Sequence, residues 1–111
     1  MVNFFKIEFE KSFLKDFNNE LEVDKKVKLQ EVLAKISKLL LENNSDFSVL
    51  KSDGGILYEN YKAKQVQKEP LGHFRINQSL RVSCIKKNDT LLLRYYGTHN
   101  HIEINEGIKK S

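Results

Sequence analysis

Three short segments near the C-terminus have side chains of alternating character, and this pattern constrains the fold more than any other feature. The segments are His73–Asn77, Leu80–Lys86 and Leu91–Tyr96. The connections between them, at 78–79 and 87–89, are so short that neighbouring segments must run antiparallel. The sequence therefore predicts an antiparallel β-meander.

The two faces of this meander are predicted to differ in chemistry, because successive side chains of a strand point to opposite faces. One face is apolar, and it holds Tyr95 together with Cys84, a small core side chain. The other face is predicted to present cationic and titratable side chains together, with Tyr96 beside them: His73, Arg75, Arg81 and Arg94.

The residue types on this second face suit chemistry on a phosphate. Arginine is always charged and forks onto phosphate, whereas histidine exchanges a proton near neutral pH. His99 follows Gly97, where a break lets the chain turn the imidazole over the cationic face. In RNA cleavage without a metal ion, the 2′-hydroxyl attacks the phosphate, an acid and a base move protons, and cations stabilise the phosphorane. The predicted catalytic residues are His99, Arg81, Arg75 and His73.

Charge is distributed unevenly along the chain, which favours a polyanion as partner. Residues 1–60 carry nine Lys/Arg and eleven Asp/Glu, whereas residues 61–111 carry ten and four. A tyrosine on the cationic face can stack on an unpaired base. The predicted RNA-binding residues are Arg94, Tyr96, Lys62, Lys64 and Lys86.

Plainer explanations stay open for several of these residues. Arg81 and Arg94 can form surface ion pairs with Glu59 and Glu103. His73 follows a loop and can be a turn residue.

A metal site is a further alternative. If the chain is extended at this point, His99 and His101 point the same way and can share a cation with His73. No Cys or acidic residue lies nearby at a recognisable ligand spacing, so the sequence predicts neither a metal nor a cofactor.

The N-terminal half predicts a strand followed by two helices. Val2–Phe9 alternates and is rich in β-formers. Ser12 is expected to cap a short helix, and Asp24 is expected to cap a longer one that ends before 43–46. The apolar positions of the two helices are Phe13, Phe17 and Leu21, then Leu29, Val32, Leu33, Ile36, Leu39 and Leu40.

The elements together indicate one α+β domain over residues 1–111. It consists of an N-terminal strand, a two-helix hairpin and an antiparallel β-meander that the helices cover on one face. Residues 56–63 fit either a strand or a short helix, and 64–70 is expected to be a loop. The single Cys84 favours a reducing compartment, and no apolar run approaches a membrane span. We therefore expect a cytoplasmic protein.

Several short motifs resemble the RelE/ParE superfamily of bacterial toxins. They are Phe74-Arg75-Ile76, Leu80-Arg81-Val82, Leu91-Leu92-Leu93-Arg94 and Gly97-Thr98-His99, and the last is most similar to the YafQ branch. The resemblance covers most of the chain and implies a RelE-like fold and a toxin of a type II toxin–antitoxin system. The RelE and YafQ branches cut mRNA on the ribosome without a metal, whereas ParE members poison DNA gyrase.

The resemblance also implies roles for individual residues. His99 matches a histidine that acts on the scissile phosphate, Arg81 matches an arginine that holds phosphate, and Arg75 lies near a basic or histidine position. The YafQ branch also uses a histidine and an aspartate around the second strand, where this chain offers His73 and Arg75 and no matching aspartate.

The implied partners are a cognate antitoxin, expected to be acidic, and mRNA in the ribosomal A site. No membrane partner is expected, and DNA is reached only through the antitoxin. Two other functions stay open on the same fold, a ParE-like gyrase inhibitor and a catalytically silent module that binds RNA or a partner. His99 argues against the inhibitor, because poisoning gyrase requires no proton transfer.

Overall fold

The computed structural model describes residues 5–52, 56 and 58–109, with only the backbone of Ser52, Lys62 and Ala63. Within these residues the chain forms five strands and four helices. In order they are β1 (Lys6–Phe9), α1 (Lys11–Asn19), α2 (Val23–Glu42), α3 (Val49–Ser52), β2 (Glu59–Val66), β3 (Glu69–Arg75), β4 (Leu80–Lys87), β5 (Thr90–Thr98) and α4 (His99–Asn105).

The strands form one sheet in the order β1-β5-β4-β3-β2. β1 is parallel to β5, and β2 to β5 make the predicted antiparallel meander. The N-terminal strand is confirmed from Lys6 onward, and residues 2–4 of its predicted range lie outside the described residues.

The segment before the predicted meander is a strand rather than a helix or a loop. β2 runs from Glu59 to Val66, so the loop expected at 64–70 is wrong. The strand returns through Gln67 and Lys68 alone, which both have positive φ angles, of 53° and 68°. Two such residues in succession make the type of tight turn that joins twisted antiparallel strands.

The helices α1 and α2 cover one face of the sheet, as the sequence predicts. The helical side of this core consists of Phe13, Leu29, Val32, Ile36 and Leu40, and its sheet side includes Phe74, Val82, Leu91, Leu93 and Tyr96. These side chains are at most 6% exposed, so this interface holds the main apolar core of the described residues. None of the described helices is long and apolar enough to cross a membrane.

The predicted helix caps are wrong. α1 follows Glu10, and the Ser12 hydroxyl donates to the Arg94 carbonyl, which ties the helix to β5. α2 begins at Val23, so Asp24 lies inside its first turn. Leu21 lies between the two helices and is 91% exposed, so it does not extend the apolar stripe.

A β-bulge in β5 overturns the predicted faces of two tyrosines. Ser83 pairs with Tyr95 and Cys84 pairs with Leu93, which leaves Arg94 as an extra residue in β5. From this point the alternation shifts by one position. Tyr96 therefore lies in the core beneath the helices, and Tyr95 lies on the opposite face.

The sequence analysis did not predict α4, which packs on the second face of the sheet. Its buried Ile102 contacts a small apolar cluster with Tyr61, Leu71 and Ile85. The Thr98 hydroxyl caps the helix by accepting a hydrogen bond from the His101 amide at 3.1 Å. α4 covers only part of this face, and Arg75 and Arg81 outside it remain partly exposed.

Candidate functional site

The sheet face turned away from α1 and α2 carries a cluster of aromatic and cationic side chains. We call it the His–Arg face, and it consists of Tyr61, His73, Arg75, Arg81 and His99. The ring centroid of His73 lies 4.4 Å from that of Tyr61 and 6.2 Å from that of His99. The four predicted catalytic residues therefore lie on the same surface, with Tyr61 among them.

His73 is held in the middle of β3, so its interpretation as a turn residue is wrong. It pairs with Glu59 on one side and with Ser83 on the other, and it is only 6% exposed. Its Nε2 lies 3.6 Å from Glu59 Oε1.

The environment of His73 keeps the ring neutral. Burial lowers the pKa of His73 to about 4, against the opposing effect of Glu59, and Arg81, His99 and Arg75 lower it further. At neutral pH His73 therefore has no proton to deliver as an acid, and as a base it is weak. This ring can orient a ligand through hydrogen bonds.

His99 is the more accessible histidine of the pair. It is the first residue of α4, and its side chain is 50% exposed. Glu103, one helical turn further on, places Oε1 3.4 Å from His99 Nε2. An adjacent carboxylate can hold the imidazole ring in one orientation. His99 thus combines access with a partner that positions its ring.

The shared cation site that the sequence allowed is not formed. His99 and His101 lie in a helix rather than in an extended chain, so their side chains point in different directions. His101 Nε2 lies 3.1 Å from Asp16 Oδ2, away from His73. Among the described residues, no group of three or more His, Cys, Asp or Glu side chains is placed to hold a metal ion.

Arg75 and Arg81 lie directly opposite each other on β3 and β4. Neither forms an ion pair with a described residue, so the surface pair suggested for Arg81 with Glu59 or Glu103 is absent there. Instead, both carboxylates lie beside the histidines. Like charges opposite each other on a sheet destabilise it, and a bound anion relieves their repulsion. This pair is therefore suited to hold phosphate.

Arg94 does not belong to the His–Arg face. Its Nε and Nη2 donate to both oxygens of the Glu106 carboxylate at 2.9 to 3.1 Å, and its Nη1 donates to Glu10 at 2.8 Å. The Arg94 side chain is 13% exposed. Both forks of its guanidinium are occupied, which disfavours RNA binding by Arg94, a role that stays a prediction.

Tyr96 is likewise withdrawn from the surface. It is 4% exposed, its hydroxyl donates to Glu20, and its amide donates to Asp16 at 3.0 Å. The bulge at Arg94 turns the ring into the core, so it cannot stack on a base. Tyr61 is the tyrosine that the structure brings to the histidines.

The predicted lysines are dispersed. Lys86 lies on the helix side of the sheet, with its Nζ 5.1 Å from the Phe47 ring centroid. Lys64 lies close to Gly107, beyond the end of α4. The side chain of Lys62 lies outside the described residues. These lysines do not form one patch with the two arginines, and their role in RNA binding stays a prediction.

Several buried polar groups on the His–Arg face are unsatisfied. The Tyr61 and Ser83 hydroxyls, His73 Nδ1 and Arg75 Nε make no hydrogen bond to any described residue. Burial raises the pKa of Tyr61 to about 12, so its hydroxyl keeps its proton and can donate. Buried polar groups usually have partners, so these groups can form hydrogen bonds to water or to a ligand that reaches them.

Three residues at this site are not marked by any sequence pattern: Tyr61, Glu103 and Lys51. Tyr61 stands in the segment that fits either a strand or a helix, so its face was not predictable. Glu103 follows His99 at i+4, a spacing that is informative only once a helix is recognised there. Lys51 lines the cavity beside Arg75 and Arg81, and no sequence pattern connects it to them.

Comparison with known proteins identifies the fold. No protein-family model matches the sequence, and no curated protein matches it significantly. A copper-bound mutant toxin from Helicobacter pylori is 22% identical, with 89% of this chain and 99% of that chain covered and a TM-score of 0.55. The YoeB dimer from Staphylococcus aureus is 16% identical, with 86% and 97% covered and a TM-score of 0.61.

The DinJ–YafQ complex from E. coli is also similar. It is 16% identical, with 89% of this chain and 98% of that chain covered and a TM-score of 0.60. The RelE structure from Methanococcus jannaschii, solved with RelB, gives the same TM-score of 0.60. The predicted fold class is thus confirmed, since the chain has the α+β fold of the RelE, YoeB and YafQ toxins.

Proposed function

We propose that this chain, which has the fold of the RelE, YoeB and YafQ toxins, is the toxin of a type II toxin–antitoxin system. We infer that it is an endoribonuclease that cuts mRNA on the ribosome without a metal ion. The shared fold supports the toxin role. The observation that carries the chemistry is the placement of Arg75 and Arg81, unpaired among the described residues, on one face with the accessible His99.

The reaction uses the residues of the His–Arg face in distinct roles. The 2′-hydroxyl attacks the adjacent phosphorus, a base removes its proton, and the bond to the 5′-oxygen breaks. Arg75 and Arg81 hold the phosphate and stabilise the charge that builds up on it. His99, supported by Glu103, protonates the leaving 5′-oxygen. His73 stays neutral and orients the substrate through its ring nitrogens.

The partner under this proposal is an antitoxin with an acidic segment. RelB and DinJ accompany RelE and YafQ in the solved complexes. An acidic side chain between Arg75 and Arg81 would occupy the place of the phosphate and neutralise both cations. Such a segment can order itself on the toxin as it binds.

The test is induced expression in bacteria of the wild type, His99→Ala and Arg81→Ala. We expect the wild type to stop protein synthesis and to produce new 5′ ends in ribosome-bound mRNA. Loss of a proton-transfer residue typically costs about 10²–10⁴-fold in rate, so His99→Ala should leave mRNA intact over the same period. Lys28→Ala, at an exposed position of α2, is the matched surface control and should behave as the wild type.

The outcomes separate the alternatives. Loss of DNA supercoiling before any loss of mRNA would identify a gyrase inhibitor. Unchanged growth with the wild type would identify a catalytically silent module. Cleavage by both variants at the wild-type rate would show that the His–Arg face is not the active site.

A further inference from the structure

We propose that Lys51 binds the RNA phosphate next to the one that Arg75 and Arg81 hold and that is cut. This inference rests on the proposed function and adds a substrate contact outside the reacting bond. The three cations come from α3, β3 and β4, so the sequence does not bring them together.

The three cationic side chains line one cavity. It has a volume of about 340 Å³ and is lined by Lys51, Tyr58, Glu59, Arg75 and Arg81. Lys51 is held at its rim because the preceding residue, Leu50, is fully buried in the core and anchors α3. Among the described residues, three cations face a single carboxylate here, which is the charge pattern of an anion site.

The described part of the protein offsets the positive charge of this cavity with one carboxylate, that of Glu59. Lys51, Arg75 and Arg81 form no ion pair there, and the Glu59 carboxylate lies 3.6 Å from His73 Nε2. Arg75 Nε is buried without a hydrogen-bond partner. Arg94 shows the opposite case, since two carboxylates occupy its guanidinium. Because none of these three cations is ion-paired within the described residues, their charged groups suit phosphate oxygens.

The cavity shares lining residues with two neighbouring pockets. Through Glu59 it adjoins the pocket of His73 and His99. Through Lys51 and Tyr58 it adjoins a second pocket lined by aromatic and polar side chains: Phe47, Ser48, Asn60, Glu69, Pro70 and Lys86. A single strand that lies across the pocket of His73 and His99 and this cavity would have its cut phosphate near His99 and an adjoining phosphate at Lys51. Aromatic side chains next to cations are typical of surfaces that bind single-stranded nucleic acid.

The test measures RNA binding apart from cleavage. The full-length wild type, Lys51→Gln, Lys51→Arg and Lys28→Gln are titrated with a short fluorescent single-stranded RNA whose 2′-hydroxyls are methylated, so that it cannot be cut. Fluorescence anisotropy gives the dissociation constant over a series of salt concentrations. Lys28 lines none of the three pockets and provides the same charge change elsewhere.

We expect Lys51→Gln to weaken binding several-fold and to reduce the dependence of log affinity on log salt by about 0.7, the contribution of one phosphate contact on a single strand. Lys51→Arg should restore binding, and Lys28→Gln should match the wild type. Thermal denaturation must show that Lys51→Gln is folded as well as the wild type.

Two results would overturn the inference. One is RNA binding by Lys51→Gln with the wild-type affinity and salt dependence, and the other is a wild type that does not bind the RNA. A loss in Lys51→Gln of binding to an acidic peptide alone would count against it too, since it would assign the cavity to a protein partner. Cleavage of mRNA on ribosomes by the wild type is measured in a separate experiment. A negative result for Lys51 in the binding assay therefore leaves the proposed endoribonuclease function untouched.

Discussion

The same residue type has different roles here according to the carboxylates around it. Arg94 is enclosed by Glu10 and Glu106 and is 13% exposed, so it is part of the framework. Arg75 and Arg81 have no such partners among the described residues. Residue identity alone therefore does not show which arginine can bind a phosphate, because a carboxylate in an ion pair neutralises the guanidinium charge and occupies its donors.

At the residue scale, His73 should make stability depend on pH. Its pKa is lowered to about 4 in the folded chain, against 6.5 for an ordinary histidine. Between these values the unfolded chain binds a proton that the folded chain does not, so stability falls as the pH drops. The loss should reach at most about 3 kcal/mol. Urea unfolding of the wild type from neutral pH down to about pH 4 measures it.

His73→Gln is the comparison for this prediction. The variant lacks the titrating ring, so its unfolding free energy should fall less steeply over the same pH range. Equal slopes for the variant and the wild type would contradict the prediction and would place the pH dependence on the carboxylates.

At the scale of elements, α4 joins the catalytic candidate to the framework. His99 begins this helix, and Glu106 follows its last residue and binds Arg94 of β5. The position of His99 over the sheet therefore depends on an ion pair at the other end of the helix. The bulge in β5 is part of the same arrangement, since Arg94 is the extra residue.

We predict that Glu106→Gln loosens α4. Breaking one side of a buried ion pair typically costs about 3–5 kcal/mol, because the remaining charge is left without its partner. The Glu106 side chain is only 1% exposed, so we expect a loss of about 3 kcal/mol in the free energy of unfolding, with faster amide exchange over α4. Denaturant unfolding and hydrogen exchange measure these effects.

Glu31→Gln, at an exposed position of α2, makes the same chemical change without touching Arg94. It should alter stability by less than about 0.5 kcal/mol. If Glu106→Gln lowers the free energy of unfolding no more than this control does, the ion pair between Arg94 and Glu106 does not stabilise the fold.

At the scale of the whole molecule, one sheet is covered from both sides. The larger apolar core lies under α1 and α2, and the smaller one lies under α4. Both cores use side chains of the same strands. Loss of packing in one core therefore disturbs strands that also form the other core. A single cooperative unit is therefore expected.

We predict one unfolding transition, with the same midpoint by far-UV circular dichroism and by tyrosine fluorescence. Ile36→Ala in the larger core and Ile102→Ala in the smaller one should each lower the stability of that single transition by about 2–5 kcal/mol, since both side chains are fully buried. Separate transitions, or a response of only one probe to Ile102→Ala, would show that α4 unfolds on its own.

The sequence by itself determined the N-terminal strand, the two helices that follow it, the antiparallel meander and the apolar stripe of α2. It also placed His73, Arg75 and Arg81 on one face. These features depend on periods of two and 3.6 residues and on short connections, which are local properties of the chain. For the same reason the sequence placed His99 near this face, although not in a helix.

Only the tertiary structure decided the rest. The bulge at Arg94 arises from the pairing of β5 with β4, so parity along one strand could not show that Tyr95 and Tyr96 exchange faces. Arg94 is removed from the site by Glu10 and Glu106, which approach from other elements. Lys51 lies beside Arg75 and Arg81 only because of how α3 packs on the core. Long-range pairing and packing set these contacts, and no local pattern in the sequence encodes them.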